Sequence, residues 1–195
     1  MKFCSNCGHR LHLAIPPGDD RSRFVCDACG TVHYQNPRVV VGCIPEHERR
    51  VLLCRRAIEP RHGLWTLPAG YLENGETLAA GAERETREEA GARIGELAPY
   101  LMFNICHISQ IYLMFRAGLM DVDFAAGRES LEVKLFTEEE IPWNQIAFRV
   151  ISETLKTYFH DRRRGSFPFA IGDIGTAAGD GRFIGAIAGL DGGKR

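Results

Sequence analysis

The feature that most constrains the fold of this chain is a glutamate-rich stretch at residues 70–92, GYLENGETLAAGAERETREEAGA. Its acid cluster, Glu85, Glu88 and Glu89, is spaced by three and four residues, so on a helix the carboxylates share one face. Like charges at this spacing repel each other, at a cost of roughly 0.2–0.5 kcal/mol per pair. The acid cluster is therefore either a solvated helix face or the ligand set of a cation.

The residues around the acid cluster favour a helix that holds a cation. Thr77 is a suitable N-cap for this helix and Gly91 a suitable C-cap. Carboxylate oxygens, completed by backbone carbonyls and water, are the ligands that hard cations such as Mg²⁺ prefer. Arg84 adds a planar cation that can orient one of the acids, and Gly70 lets the backbone approach closely enough to present a carbonyl.

A longer pattern surrounds the acid cluster and fits G-x5-E-x7-R-E-U-x-E-E-x-G-U, in which U is a bulky apolar residue. The stretch resembles the Nudix box at seven fixed positions: Gly70, Glu76, Arg84, Glu85, Glu88, Glu89 and Gly91. Thr86 and Ala92 depart from the pattern, at two positions that prefer bulky aliphatic residues. Both side chains are expected to pack against neighbouring residues, so the departures concern the packing of the helix and not the cation site.

The resemblance to the Nudix family implies both a fold and a reaction. The expected fold is an α/β/α sandwich with a mixed sheet, and the expected reaction is cleavage of a nucleoside-linked diphosphate with Mg²⁺ or Mn²⁺. Carried over to this chain, it makes Glu85 and Glu89 the principal metal ligands, and Glu88 a further ligand or the base. Gly70 can add its carbonyl to the metal shell, and Arg84 orients the acids.

Many Nudix enzymes use another acid outside the box, and GRESLEVKLF contains two candidates, Glu129 and Glu132. We prefer Glu132 as the catalytic residue, because it is flanked by strand residues and can point from a strand end into the site. The alternative is that Glu132 is an exposed glutamate of an ordinary strand.

Four cysteines near the N-terminus have the spacing C-x2-C-x18-C-x2-C: Cys4, Cys7, Cys26 and Cys29. This spacing is typical of structural zinc sites, and zinc binding would supply folding free energy that so short a segment lacks. Two disulfides or a redox pair are the alternatives. Since all four ligands come from the protein, Zn²⁺ would have no open position and would be structural.

The chain is expected to contain three parts: a zinc ribbon at residues 1–34, a Nudix domain at residues 35–162 and a Gly/Ala-rich tail at residues 163–195. Alternating apolar runs predict strands around the central helix, and a periodic apolar pattern at residues 145–160 predicts a closing amphipathic helix. The tail has few aliphatic clusters, so we expect it to be poorly ordered.

Composition and the N-terminal sequence limit the compartment and the class of partner that we expect for the protein. No run of about 18 apolar residues occurs, so no membrane-spanning helix is expected. The start, MKFCSNCGHR, lacks the apolar segment of a secretory signal, which predicts a cytoplasmic protein with reduced thiols. A formal net charge of −1 gives no basic field for nucleic acid, so a small nucleotide-diphosphate substrate is the expected partner.

The architecture bears on the substrate, because a zinc ribbon joined to a Nudix domain resembles two groups of pyrophosphatases, which are often dimers. NADH pyrophosphatases carry a SQPWPFP-like motif after the box, and this chain has none. The runs YQNP, GLWTLPAGYLE, ESLEVKLF and EEIP look like the zinc-ribbon FAD and ADP-ribose pyrophosphatases. The resemblance thus implies a homodimer that cleaves FAD to AMP and FMN, or ADP-ribose to AMP and ribose 5-phosphate. An NADH-directed or RNA-cap-directed pyrophosphatase, or a regulator that senses a nucleotide or binds nucleic acid without catalysis, remains an alternative.

Further side chains are candidates for contact with such a substrate. Stacking on adenine or isoalloxazine is a candidate role for four aromatic residues: Trp65, Tyr71, Phe103 and Tyr112. Phosphate binding is a candidate role for three arginines: Arg55, Arg56 and Arg116. The alternatives are core packing for the aromatic residues and solvation of edge strands for the arginines.

Overall fold

A computed structural model of the chain describes residues 1–175 and the backbone of residues 181–186. It divides into two compact units, Met1–Pro37 and Arg38–Arg195. Among the described residues, no helix combines the length and the apolar character that crossing a membrane requires.

The first unit is a small antiparallel sheet with two cysteine-bearing turns. Its strands follow chain order in the sheet: β1 (His12–Ala14), β2 (Arg23–Val25) and β3 (Val32–His33). Gly8 and Gly30 have φ angles of 75° and 70°, a left-handed conformation that glycine adopts without steric cost. Their N–H groups donate to the carbonyls of Cys4 and Cys26, at 2.9 and 2.8 Å. Each turn thereby folds back on the first cysteine of its pair.

The second unit is built on one mixed sheet. Its described strands are β4 (Arg38–His47), β5 (Arg50–Arg56), β6 (Trp65–Thr66), β7 (Ala69–Tyr71), β8 (Ala98–Ile105), β9 (Gln110–Gly118), β10 (Ser130–Phe136), β11 (Ala170–Ile174) and β12 (Gly181–Ala186). The order is β10-β5-β4-β9-β8-β11-β12, with β6 beside β5 and β7 beside β4. The pairs β4–β9 and β8–β11 are parallel, and the other pairs are antiparallel.

Two α-helices cover the sheet, α1 (Leu78–Ala90) and α2 (Arg149–Arg164). Leu113 and Met114 are neighbours in β9, so their side chains point to opposite faces. Leu113 packs in a buried cluster with Ala82 of α1, and Met114 packs in the main core with Leu155 of α2. The sheet therefore lies between the helices, and the predicted α/β/α sandwich with a mixed sheet is confirmed.

The ends of α1 lie where the sequence predicts them. The hydroxyl of Thr77 accepts a hydrogen bond from the N–H of Ala80 at 3.1 Å and caps the first turn. Gly91 takes a left-handed conformation and donates its N–H to the carbonyl of Arg87 at 2.9 Å. Thr86, one of the two departures from the box pattern, is fully buried and donates its hydroxyl within the helix.

The C-terminal part differs from the sequence prediction. The closing helix is α2, which extends to Arg164, and residues 163–175 do not form the poorly ordered tail that was expected. Instead β11 pairs in parallel with β8, from Ala170 opposite Leu101 to Asp173 opposite Asn104. The pairing partner is distant in sequence, so local composition carried no sign of it. For residues 176–180 and 187–195 the prediction falls outside the described residues.

Candidate functional site

The backbone of β7 approaches the acid cluster closely at Gly70. A Cβ atom on Gly70 would lie 2.3 Å from the carboxyl carbon of Glu85. A Cβ atom there would displace the carboxylate of Glu85, so the absence of a side chain at position 70 leaves room for this carboxylate against the backbone. Strand β7 is held in place by β4, where Val41 is the partner of Gly70.

Glu89 is a buried carboxyl with one hydrogen bond from the backbone. Its side chain lies on the covered face of α1, and the residue is 6% exposed. One carboxyl oxygen accepts the N–H of Ala69 at 3.1 Å. Burial, with a smaller contribution from the negative charge of Glu85, raises the pKa of Glu89 to about 8. A buried carboxyl of this kind becomes a good ligand once a cation compensates its charge.

Arg84 links the acids of the box to each other. Its Nε and Nη2 donate to the two carboxyl oxygens of Glu76, at 3.0 and 2.7 Å. Its Nη1 donates to Glu85 at 2.7 Å and to Glu88 at 3.0 Å. Its Nη2 also donates to the carbonyl of Tyr71, at 3.1 Å. These bonds hold the pKa of Glu76 at about 2, so the Glu76 carboxylate stays charged and fixes the guanidinium.

The loop before β10 packs against the last turn of α1. Ala125 donates its N–H to the carbonyl of Ala90, and Gly127 donates to the carbonyl of Glu89, both at 3.0 Å. These are carbonyls that a helix end leaves without a partner inside the helix. A Cβ atom on Gly127 would lie 1.7 Å from the carbonyl oxygen of Glu88, so only glycine fits there. No local pattern in the chain indicates this role of Gly127.

The two acids proposed outside the box lie in different surroundings. The negative charge of Glu129 contributes to the raised pKa of both Glu85 and Glu89. Glu132 instead lies opposite Arg55 across β10 and β5, with 3.8 Å between its Oε2 and the Nη1 of Arg55. The pairing of β10 with β5 places Glu132 in an exposed ion pair, and its catalytic role stays a prediction.

Among the three candidate arginines, Arg56 is the one that acts on the acid cluster. Its positive charge lowers the pKa of Glu89 against the effect of burial, and its Nε donates to the carbonyl of Pro60. Arg55 is engaged by the ion pair described above. Arg116 donates to Glu46 at 2.8 Å and stacks on the ring of Phe167 at 3.2 Å. Arg116 is therefore engaged by contacts within the fold, and its candidate role in phosphate binding stays a prediction.

The four candidate aromatic residues fall into two pairs. Trp65 and Phe103 belong to the buried core and present little surface to a ligand. Tyr71 is 43% exposed, and Tyr112 is half-buried beside the core. Core packing thus accounts for Trp65 and Phe103, whereas Tyr71 and Tyr112 are accessible.

The four cysteines of the first unit form a compact sulfur cluster. All four Sγ atoms lie within 4.8 Å of one another, and the four residues are free thiols rather than two disulfides. The distances are 3.7 Å from Cys4 to Cys29 and 3.4 Å from Cys7 to Cys26. Four sulfurs about 2.3 Å from a central zinc ion would be separated by similar distances. Hydrogen bonds from Thr31 lower the pKa of Cys29 to about 6, which favours the thiolate that a metal binds.

Both units match models of known families. Residues 2–35 match the family described as Nudix N-terminal, a zinc ribbon, and residues 36–154 match the NUDIX domain. The chain therefore belongs to the Nudix hydrolase family, in the group that carries an N-terminal zinc ribbon.

Relatives and solved structures agree with this family. A crystal structure of a NUDIX hydrolase from Nitrosomonas europaea is 58% identical, with a TM-score of 0.86, and the match covers 89% of this chain and 99% of that one. The NAD-capped RNA hydrolase NudC of Vibrio vulnificus is 31% identical over 80% of this chain, and that of Vibrio parahaemolyticus is 35% identical over 83%. The chain spans 59% and 62% of the length of these two relatives.

The close contact at Gly127 leads to a first prediction. Gly127→Ala should lower the free energy of unfolding by about 1–3 kcal/mol, because the new methyl group forces the loop away from the carbonyl of Glu88. Urea denaturation measures this loss. Gly118→Ala is the matched control, since a Cβ there meets nothing within 4 Å, and its change should stay within about 0.5 kcal/mol. Equal stability of the two variants would contradict the close contact.

The buried Glu89 leads to a second prediction, for protein free of magnesium and manganese. Its pKa is raised from 4.5 to about 8, so the stabilising effect of its proton is complete below pH 4.5 and is lost as the pH rises through 8. Glu89→Gln does not titrate, so its unfolding free energy should gain on that of the wild type between about pH 5 and 8. The exposed Glu83→Gln on the same helix should stay parallel to the wild type. Parallel curves for Glu89→Gln would show that Glu89 is ionised throughout.

Proposed function

We propose that the protein is a metal-dependent pyrophosphatase that hydrolyses the diphosphate of a nucleoside-diphosphate-linked substrate. FAD, cleaved to AMP and FMN, and ADP-ribose, cleaved to AMP and ribose 5-phosphate, are the favoured substrates. The observation that carries the proposal is the convergence of Glu85 and Glu89 on the backbone of Ala69 and Gly70. A diphosphate and a carboxylate cluster repel each other, so their meeting requires a cation between them.

The donor set fits a hard divalent cation. Glu85, Glu88 and Glu89 supply carboxylate oxygens, and Gly70 can add its carbonyl, which together suit Mg²⁺ or Mn²⁺. Burial leaves the charge of Glu89 poorly compensated by the protein itself, as its raised pKa indicates. When bound, such a cation polarises phosphoryl oxygens and lowers the pKa of water.

The side chains around the acid cluster suggest distinct roles. Glu88 has a side chain that is 57% exposed, so it can accept a proton from an attacking water and pass the proton to solvent. Arg84 restrains the carboxylates of Glu85 and Glu88 by hydrogen bonds, which keeps them oriented before substrate arrives. Arg56 can bind a substrate phosphate, since its charge already acts on Glu89. Glu129 is the candidate for the additional acid.

The sulfur cluster supports a second, structural metal. Cys4, Cys7, Cys26 and Cys29 would hold Zn²⁺ as four thiolates, which leaves no position for substrate or water. The role of this zinc is to fold the first unit, whose short strands bury little apolar surface.

The relatives named NAD-capped RNA hydrolase keep a second substrate class open. An NAD cap and FAD share the adenosine diphosphate half, so one cation site serves both. The chain spans about three fifths of the length of those relatives, so hydrolysis of NAD-capped RNA is a second candidate activity for it. The expected assembly is a homodimer, by analogy with similar pyrophosphatases.

Product release from a substrate panel tests the proposal: AMP from FAD, ADP-ribose and NADH, nicotinamide mononucleotide from an NAD-capped RNA, and the nucleoside monophosphate from 8-oxo-dGTP. With Mg²⁺, FAD or ADP-ribose should be cleaved faster than NADH, an NAD-capped RNA or 8-oxo-dGTP. Glu89→Gln should lower kcat by about 100-fold or more, because it removes a charged ligand. Glu83→Gln makes the same chemical change at an exposed position of α1 and should keep wild-type activity. If no diphosphate in the panel is cleaved, the enzymatic proposal fails.

The choice between the two acids outside the box has its own prediction. Glu129→Gln should lower kcat by about tenfold or more, because general acid–base groups contribute at least this much. Glu132→Gln breaks only an exposed ion pair and should change kcat less than about twofold. The opposite ranking would restore Glu132 as the catalytic acid.

A further inference from the structure

Strand β10 lies at one edge of the large sheet. Among the described strands, it pairs with β5 on one side and with no strand on the other. In an antiparallel pair, the backbone groups of alternate residues point away from the partner strand. The outer edge of β10 therefore presents N–H and C=O groups that can pair with a further strand. Natural edge strands are often guarded by charged side chains, so the charges of β10 decide what can pair with it.

The exposed side chains of β10 place two opposite charges on one face. Glu132 and Lys134 are two residues apart, and Lys134 is paired with Leu53 of the main core, so both side chains lie on the face that α2 covers. The side chain of Glu132 is 48% exposed, and Lys134 is also exposed. Among the described residues, the Nζ atom of Lys134 lies 5.1 Å from the centre of the Phe136 ring and forms no ion pair. A carboxylate can therefore still bind Lys134.

The opposite face of β10 carries apolar side chains at the same edge. Val133 and Leu135 are half-buried and pack with Leu52 and Ala90. Leu131 lies at an irregularity in the pairing with β5 and is 50% exposed. A further strand at this edge would cover Leu131 and continue the apolar row of Val133 and Leu135.

The order of these side chains makes β10 complementary to a second copy of itself. When two antiparallel copies pair about Val133, position 132 of each copy lies opposite position 134 of the other. Each Glu132 then faces a Lys134, and both pairs are attractive. Pairing about Glu132 or about Lys134 would instead bring like charges opposite each other, which is destabilising. The charges of β10 thus favour a single register.

We propose that β10 is the dimer interface of this protein, where two copies pair their β10 strands antiparallel about Val133 and join the two large sheets. The partner is a second copy of the chain, because the alternation of charge along β10 is matched by β10 itself. On the other face of the joined sheet, Leu131 of each copy packs against Leu135 of the other. This interface goes beyond the proposed function, in which a homodimer is expected from similar proteins without an assigned surface.

Exchange of the charges tests the interface by analytical ultracentrifugation of the full-length protein over a range of concentrations. The wild type should sediment as a dimer. Glu132→Lys places lysines opposite each other twice, and Lys134→Glu does the same with glutamates. Each variant should therefore raise the Kd of the dimer by about tenfold or more. The double variant with both substitutions has opposite charges again and should dimerise like the wild type.

A mixture of the two single variants is the most specific measurement. Glu132→Lys and Lys134→Glu each repel their own copies, but their charges are complementary to each other. Equal amounts of the two variants should therefore form a heterodimer under conditions in which each variant alone is largely monomeric. The pairing about Val133 predicts this recovery, because it brings positions 132 and 134 together across the interface.

The chain offers matched controls on its two helices. Glu83 of α1 and Lys156 of α2 are exposed, so Glu83→Lys and Lys156→Glu change the net charge as the test variants do. Both controls should keep the wild-type dimer, and melting curves show whether every variant is folded. A monomeric wild type, single variants that dimerise as tightly as the wild type or only as weakly as the controls, or a mixture without a dimer would each overturn the proposal. Assembly is measured without substrate, so the result does not depend on whether a diphosphate is cleaved.

Discussion

The hydrogen bonds of one guanidinium hold the acid cluster together. Three glutamates on one face of a short helix repel one another, and Arg84 offsets this by binding Glu85 and Glu88 while Glu76 binds Arg84 itself. Glu89 lies outside this set of bonds and is buried. Arg84 thus offsets the repulsion between Glu85 and Glu88, whereas the charge of Glu89 is poorly compensated by the protein, as its raised pKa indicates. This poorly compensated negative charge is the physical basis for a cation at the acid cluster.

Two glycines let backbone segments approach the acid helix where side chains would prevent it. At Gly70 strand β7 touches a carboxylate, and at Gly127 the loop before β10 touches the last turn of α1. The second contact also satisfies the carbonyls of Glu89 and Ala90, which the helix end leaves unpaired. The acids are thus held from both sides by main chain, whose geometry varies less than that of side chains. This arrangement favours a ligand set with little freedom of movement.

Features that depend on neighbours in sequence were predictable, and features that depend on distant pairing were not. The caps at Thr77 and Gly91 follow from local chemistry, and so does the spacing of the acid cluster. The contacts of Arg116 could not be inferred from its neighbours, because Glu46 and Phe167 are remote from it in the chain. The same reason explains why β11 was missed, since its partner β8 lies far earlier. Glu129 and Glu132 could not be ranked without the register of β10.

The position of α2 has a consequence for where this domain ends as a folding unit. The match to the NUDIX domain stops at residue 154, within a helix that runs from Arg149 to Arg164. Leu155, Tyr158 and Phe159 follow that point, and all three are fully buried in the main core. A chain cut at residue 154 would lose more than half of α2, the helix that covers this face of the sheet. The family match and the folded domain therefore end at different residues. The folded domain extends at least to the end of β11.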